Sequence, residues 1–496
     1  MTINLQDLLP KHSLPKEIAS LVINDLAIDS RKIKPGALFL AYQGTHNHGG
    51  DYVAAAIKNG AIAIIIDAEY PNLKKLTDEF SVTPIIPVNH LIQEISAIAG
   101  RFYHQPSHQL DVIGVTGTNG KTSSTHYIAQ LVEQLGTRCG IMGTVGQGFC
   151  NQLLQTGLTT VDPLTIQHDL AHLLQQGAKV VAMEVTSHGI VQHRVENVQF
   201  TLAAFTNLTR DHLDYHGNME SYGAAKAKLF QYPGLRYAVI NLDDPFSDTL
   251  LKVLSADVQV LGYSLAAEKN SKKCPIIWLE NIVYLHNGMT ATLHTPWGVA
   301  PLQVPLLGRF NLSNMLLAIG SVLLSGYSLN AILSAVPKLK GVAGRMQCFG
   351  GSNNKPTVIV DYAHTPDGLQ QALSSLKEHC KGKLWCIFGC GGDRDRGKRP
   401  LMAQAVESNQ AQLIITNDNP RTEDPLVIIN DILTGVSAAA KPIIEPDRTK
   451  AIQIALAQAK PEDIIVVAGK GHEDYQILGT KRVDYSDIET VQRLLA

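Results

Sequence analysis

A chain of 496 residues, 45% hydrophobic, 17% charged and 6% aromatic, is too long for one compact domain and too apolar to be disordered or collagen-like. Lys and Arg total 42 against 44 Asp and Glu, a formal net charge of -2, so no global basic field marks a nucleic-acid binder. The seven cysteines form no CxxC pair, no signal-peptide pattern opens the chain, and no apolar run reaches membrane-spanning length, so a cytoplasmic protein without membrane insertion is expected.

At roughly 150 residues per domain the length predicts about three domains, placed at 1–108, 109–342 and 343–496. In the first, LFLAY (38–42) and AIAIII (61–66) predict buried strands with a helix over 52–59 between them. Residues 85–88 predict a third strand, a helical pattern runs to Tyr103, and HQPSHQ (104–109) suits a polar linker. The second opens with the strand LDVIGV (110–115), a glycine turn and a helix over 122–135, with strands at 179–185, 201–206 and 237–242. A helix over 314–324 precedes the boundary at GVAGR (341–345). The last segment alternates strands (357–363, 383–388, 413–416, 463–468) with helices, the first over 368–379, which predicts an α/β fold with a doubly wound sheet.

The most informative stretch is GVTGTNGKTS (114–123). Gly117, Thr118, Asn119 and Gly120 make a tight turn between strand and helix. Lys121, Thr122 and Ser123 open the helix, whose N–H groups and dipole favour an anion. Lys121 would reach the β/γ-phosphates of ATP and the Thr122 hydroxyl would face Mg2+. A strict phosphate-loop pattern wants glycine where Val115 stands, so the match is to a shorter GTNGKT variant; a glycine turn with an incidental lysine is the other reading.

That loop resembles the one in Mur ligases, the ATP-dependent amide-bond ligases of peptidoglycan assembly; folylpolyglutamate synthetases carry a similar loop. The resemblance runs almost end to end, from DSR (29–31) to DYSD (484–487). It implies three α/β domains: a UDP-muramoyl-binding domain, a central P-loop ATPase domain and a C-terminal Rossmann-like domain that brings the amino acid. In MEVTSHG, Glu184 falls at a strand's C-terminal end, the edge that faces ligands in α/β sheets. There it would bridge Mg2+ between ATP and an acceptor carboxylate; a solvated loop acid is the alternative. FTNLTRDHLDYHG (205–217) crowds Asn207, Asp211, His212, Asp214 and His216 into one loop, and the resemblance makes His212 a metal ligand. It also makes Lys226 a carbamylated lysine, which as an anion joins Thr122, Glu184 and His212 around the metal. From sequence alone Lys226, like Lys228, reads as an exposed helical lysine. Lys121, Glu184, His212 and Lys226 form the implied catalytic set.

For the uridine nucleotide and muramoyl dipeptide the resemblance implies Ile28, Ser30, Thr45, His46, Asn47, Thr159, Thr160, Thr186, Gln192 and Arg194. The segment near Gly44 reads equally as a hairpin turn. Val161 replaces a usual proline, and Thr186 stands where serine is common. Asn311, Arg345, Asp361 and His364 are implied around ATP, although Asn311 and Asn314 also suit a helix cap and His364 a loop. GGDRDRGKRP (391–400) supplies Arg394; a solvated turn or a basic nucleic-acid patch are its bland readings. DNPR supplies Asp418, Asn419, Pro420 and Arg421, and AGKGHEDYQ supplies Gly469 and Glu473. A guanidinium at Arg421 grips the distal carboxylate that distinguishes diaminopimelate from lysine.

The implied reaction adds meso-diaminopimelate to the D-glutamate γ-carboxylate of UDP-N-acetylmuramoyl-L-alanyl-D-glutamate through an acyl phosphate. ATP is the co-substrate, Mg2+ the cofactor, the partners are small molecules rather than nucleic acid, and a monomer is expected. A lysine-adding ligase, a folylpolyglutamate synthetase and a nucleotide-binding module without ligase activity are the alternatives.

Overall fold

The computed structural model describes residues 2–44, 47–150, 152–266, 274–285, 287–352 and 354–496. Two compact units emerge, Met1–Lys121 with Ile128–Gly262, and Thr122–Tyr127 with Tyr263–Ala496.

Besides a short antiparallel pair, Ile3–Asn4 with Val22–Ile23, the first unit holds two larger sheets among its described residues. Asp25–Ala27, Ala37–Ala41, Ala61–Asp67 and Ile85–Val88 pair in that order, all parallel. Their side chains alternate between two cores. Leu38, Leu40, Ala63 and Ile65 face one with helix Leu91–Phe102, while Phe39, Ala41, Ile64 and Ile66 face the other with helix Val53–Lys58. Burial on both faces explains why these strands read as continuous apolar runs rather than alternating ones. Residues 104–109 are only partly exposed. They form a 3-10 turn, Pro106–Gln109, in which Pro106 and Ser107 are buried and the Ser107 hydroxyl accepts from the Gln199 N–H at 3.1 Å.

In the larger sheet the strand Asp111–Thr116 lies between Val180–Glu184 and Leu202–Phe205, parallel to both. Cys139–Met142 continues one side and Tyr237–Asn241 the other, also parallel. The first strand of this layer is therefore central, and the chain passes to opposite sides of it. That is the topological switch where α/β sheets place ligands, at the strands' C-terminal ends. The loop 117–120, Glu184 and Asn207 all sit at those ends.

The second unit carries three antiparallel strands, Ile276–Leu285, Gly288–Thr295 and Gly298–Val304, which the sequence does not predict. Helix Arg309–Leu324 follows and starts earlier than predicted. Asn311 and Asn314 therefore lie inside it, both buried, and cap nothing. The final sheet has the order Gln347–Gly350, Thr357–Asp361, Ile464–Ala468, Leu384–Phe388, Gln412–Ile415, Ile443–Ile444, parallel except at the first pair. The last long strand is inserted beside the first, which again makes a switch point at the C-terminal edge. A fully buried bidentate pair, Arg448 to Asp487 at 2.7 and 2.8 Å, ties the two helices behind this sheet. Among the described residues no helix is long and apolar enough to cross a membrane.

Candidate active site

The phosphate loop is held from beneath by the segment after the neighbouring strand. The Thr118 N–H donates to the Asn207 carbonyl at 2.8 Å and the Asn119 N–H to Asn207 Oδ1 at 2.9 Å. Thr206 Oγ1 donates back to the Asn119 carbonyl at 2.6 Å. Gly117 has φ of +145°, and a Cβ there would stand 1.8 Å from Thr206 Oγ1, so no side chain fits. Gly120, at φ +86°, turns the chain into helix Lys121–Gln134, with Thr122 and Ser123 buried in its first turn.

Lys121 Nζ donates to the carbonyls of Gly117 (2.9 Å) and Thr118 (2.8 Å). Lys226 Nζ donates to the same Gly117 carbonyl at 2.8 Å and lies 4.3 Å from the centroid of the Tyr222 ring. The exposed-lysine reading thus fails for Lys226, which is 1% exposed, and holds for Lys228. Burial, reinforced by the nearby Lys121 charge, pushes the Lys226 ammonium well below the usual lysine range. Burial thus disfavours the charged form of this side chain.

Glu184 ends its strand and is 1% exposed, so it is no loop acid. Its Oε1 accepts from the Thr144 N–H at 2.8 Å and its Oε2 from the Thr144 hydroxyl at 3.2 Å. Thr144 Oγ1 in turn contacts Thr159 Oγ1 at 2.9 Å. Thr160 donates to the Glu184 carbonyl and accepts from both the Thr186 N–H and hydroxyl. Arg194 donates to the Thr160 carbonyl and to Gln192 Oε1, and Gln192 donates to the Tyr215 hydroxyl at 3.2 Å. Thr159, Thr160, Thr186, Gln192 and Arg194 are thereby brought onto one shelf beside Glu184.

Beside it, joined through the Gln192–Tyr215 hydrogen bond, His188, His212, Tyr215, His216 and Tyr222 pack ring on ring, with centroids 4.2 to 6.1 Å apart. His188 is held down to about 4 by burial and by neighbouring His212 and His216, and burial beside Lys226 lowers His216 as well. His212 sits at φ +52° with its ring 3.4 Å from Asp211 and half exposed. Among the described residues no group of three or more His, Cys, Asp or Glu is arranged for a metal ion. The Glu184 carboxylate and the neighbouring Thr144 and Thr159 hydroxyls are oxygen donors of the kind a hard dication takes.

A cleft of about 670 Å³ in the same unit is lined by Ile28, Ser30, Arg31, Asn47, Asp162 and Thr165, among others. Asp29 accepts from the Arg31 guanidinium at 2.8 and 2.9 Å, which holds its carboxyl at about 2 and fixes the cleft's rim. The Asn47 carbonyl also accepts from the Gly44 N–H at 3.0 Å. Thr45 and His46 lie outside the described residues.

In the second unit, Asn311 Oδ1 accepts from the Tyr127 hydroxyl at 3.1 Å and its amide donates to the Leu307 carbonyl. The Arg345 guanidinium lies 4.5 Å from the centroid of the Tyr362 ring. Asp361, raised by burial, accepts from the N–H groups of Met346 and Ala363. His364 lies in the loop that follows, its ring bonded to the Tyr362 carbonyl.

All seven residues expected at the amino-acid end gather at the C-terminal edge of the final sheet: Arg394 after one strand, Asp418, Asn419, Pro420 and Arg421 after the next, and Gly469 and Glu473 after the inserted one. Arg421 adopts φ of +51°, and its Nη1 donates to the Gly392 carbonyl at 2.8 Å. A Cβ on Gly391 would stand 2.8 Å from that nitrogen, and one on Gly469 2.6 Å from Asp418. The loop 391–400 is not simply a solvated turn, because Arg399 is fully buried and paired with Glu423 and Asp431 at 2.8 Å.

Three family profiles match in succession: the Mur ligase family catalytic domain over residues 22–103, the Mur ligase middle domain over 115–322, and the Mur ligase glutamate ligase domain over 344–471. A relative from Pseudomonas putida is 48% identical across 96% of this chain and 95% of its own length. The chain belongs to the Mur ligase family. That relative, and one from Coxiella burnetii at 44% identity over 96% of both chains, are named UDP-N-acetylmuramoyl-L-alanyl-D-glutamate–2,6-diaminopimelate ligase. A solved Mur ligase structure of the same name superposes with a TM-score of 0.74 at 36% identity, covering 100% of this chain and 99% of the other. A Mycobacterium tuberculosis folylpolyglutamate synthase, at 18% identity and a TM-score of 0.61 over 76% of this chain and 92% of its own, shares the fold alone.

Three residues of this Mur ligase escaped the sequence reading. Thr144 grips Glu184 from forty positions away, with no local signal. His188 lies inside the quoted MEVTSHG motif, and Lys470 inside AGKGHEDYQ. Their adjacency to Glu184 and Glu473 in those motifs was the available clue.

Proposed function

We propose that this chain joins meso-diaminopimelate to the D-glutamate γ-carboxylate of UDP-N-acetylmuramoyl-L-alanyl-D-glutamate, converting ATP to ADP and phosphate. The observation that carries the reading is the meeting of Lys121 and the buried Lys226 on one phosphate-loop carbonyl. A carboxylate is a poor acceptor of an amine because oxide is a poor leaving group. Phosphorylation by ATP turns that oxygen into phosphate, and the amine then displaces it. Lys121, leaving its loop carbonyls, offsets charge on the transferred phosphoryl group.

Lys226 suits conversion by CO2 to a carbamate. The neutral amine that burial favours is the form that attacks CO2; the nitrogen gives up one proton to solvent, and the product anion stands beside the Lys121 charge. Mg2+ would be held by Thr122, Glu184, His212 and the Lys226 carbamate, and supplies electrostatic stabilisation of phosphoryl oxygens. The shelf of Thr159, Thr160, Thr186, Gln192 and Arg194 holds the muramoyl dipeptide, and the cleft at Ile28, Ser30 and Asn47 the uridine nucleotide. Thr45 and His46 join the latter. Gly117, Thr118, Asn119, Gly120, Ser123, Asn311, Arg345, Asp361 and His364 bind ATP. Arg394, Asp418, Asn419, Pro420, Arg421, Gly469 and Glu473 hold diaminopimelate.

Phosphate release measured with each substrate omitted in turn tests the reading. Release that requires the muramoyl dipeptide and diaminopimelate together supports it. Release that needs neither points to a plain ATPase, and equal release with lysine removes the substrate assignment.

A further inference from the structure

Lys470 is fully buried at the amino-acid end of the second unit. Its Nζ lies 2.9 Å from Glu473 Oε2, 3.4 Å from Asn419 Oδ1 and 5.3 Å from the centroid of the Tyr475 ring. The Asn419 amide donates to the same Glu473 oxygen at 3.1 Å, and Asn419 Oδ1 also accepts from the Ile477 N–H at 3.0 Å. One cation thus orients a carboxylate and pins the loop that carries Arg421.

We propose that Lys470 is a specificity-determining positioning residue that neutralises Glu473, so that the site gains little from a lone ammonium and depends on the distal carboxylate at Arg421. This rests on the diaminopimelate reading above. An amino acid ending in an ammonium alone meets a carboxylate already paired by Lys470, with Arg421 close by as a second positive charge. An amino acid ending in both groups adds a carboxylate that the guanidinium takes up through paired hydrogen bonds. Without the Lys470 charge, Glu473 attracts any cation, and selection weakens. The role is electrostatic and indirect, since Lys470 acts through Glu473.

The test compares kcat/KM for diaminopimelate and lysine in wild type, Lys470→Gln, Lys470→Arg and the double variant Lys470→Gln/Glu473→Gln, with thermal unfolding as a folding control. Lys470→Gln keeps a hydrogen-bond donor but drops the charge. It is expected to lower the diaminopimelate-to-lysine ratio by about tenfold or more, as a unit charge a few ångströms away does at intermediate dielectric. The KM for ATP stays unchanged, and Lys470→Arg retains the ratio. The double variant restores local neutrality, so its ratio recovers toward wild type although both efficiencies stay low. A merely structural Lys470 predicts no such recovery. Should Lys470→Gln not fold, the double variant carries the test: a ratio near wild type supports the proposal and a collapsed ratio overturns it. A wild type that prefers lysine would sink the diaminopimelate reading itself; a wild type that prefers diaminopimelate, with Lys470→Gln unchanged in ratio, overturns only the role of Lys470.

Discussion

Lys226→Ala isolates the charge that the buried lysine, as a carbamate, brings to the phosphate loop. In the structure its nitrogen and that of Lys121 share the Gly117 carbonyl at 2.8 and 2.9 Å. The two nitrogens are therefore less than about 6 Å apart, where unit charges interact by about 3 kcal/mol at an effective dielectric of 20. A carbamate at Lys226 makes that interaction an attraction, and alanine removes it. With about 1.4 kcal/mol per factor of ten, kcat/KM is expected to fall at least a hundredfold. The assay is the initial rate of phosphate release with all three substrates present. Lys226→Arg serves as the control, because a guanidinium remains protonated and forms no carbamate; it is expected to lose as much as alanine. Added formate or acetate, small enough for the space that alanine opens, is expected to return part of the rate. An arginine variant within threefold of wild type would refute the reasoning, since it would show that a permanent cation serves at this position.

Gly117→Ala forces a Cβ to within 1.8 Å of Thr206 Oγ1 at a φ of +145°, so nucleotide affinity by calorimetry is expected to drop at least tenfold; unchanged affinity would mean the loop tolerates rearrangement. Arg421→Ala is expected to raise the KM for diaminopimelate about 10- to 100-fold, the worth of one or two charge-assisted bonds, and to leave the KM for ATP within twofold; equal losses in both would count against a local role. His126 is buried and held at about 4 by desolvation and by the charges of Arg345 and His472. Its folded value lies below the unfolded one, so the unfolded state binds the proton first and stability is lost as pH falls from about 6.5 toward 4. That loss amounts to about 3 kcal/mol. Denaturant unfolding at pH 7 and 4.5 is expected to show a smaller drop for His126→Gln than for wild type; identical drops would assign the acid limb elsewhere.

The strands that carry the sites were legible because parallel strands buried on both faces are unbroken apolar runs. AIAIII and IIVVA announced themselves, and so did the glycine turn before Lys121. The antiparallel strand Ile276–Leu285 did not. It bulges between Glu280 and Val283, with Asn281 at φ +52°, and the irregularity breaks the alternation by which a strand is recognised. Burial of charge was equally hidden. Nothing in GAAKAKL separates the fully buried Lys226 from the exposed Lys228 two positions on, because that distinction arises where the helix meets the phosphate loop. Likewise, Thr144 reaches Glu184 and Asn419 reaches Glu473 only after the strands assemble. The sequence motifs marked which loops converge at each sheet edge, whereas the tertiary fold decides which side chains within them are desolvated and paired.

Isotope transfer tests the central chemistry most directly. With both oxygens of the D-glutamate γ-carboxylate labelled with oxygen-18, the account predicts that each phosphate released during diaminopimelate addition carries one labelled oxygen, read by mass spectrometry. Unlabelled phosphate accompanying amide formation would show that the carboxylate is not phosphorylated, and would contradict the account.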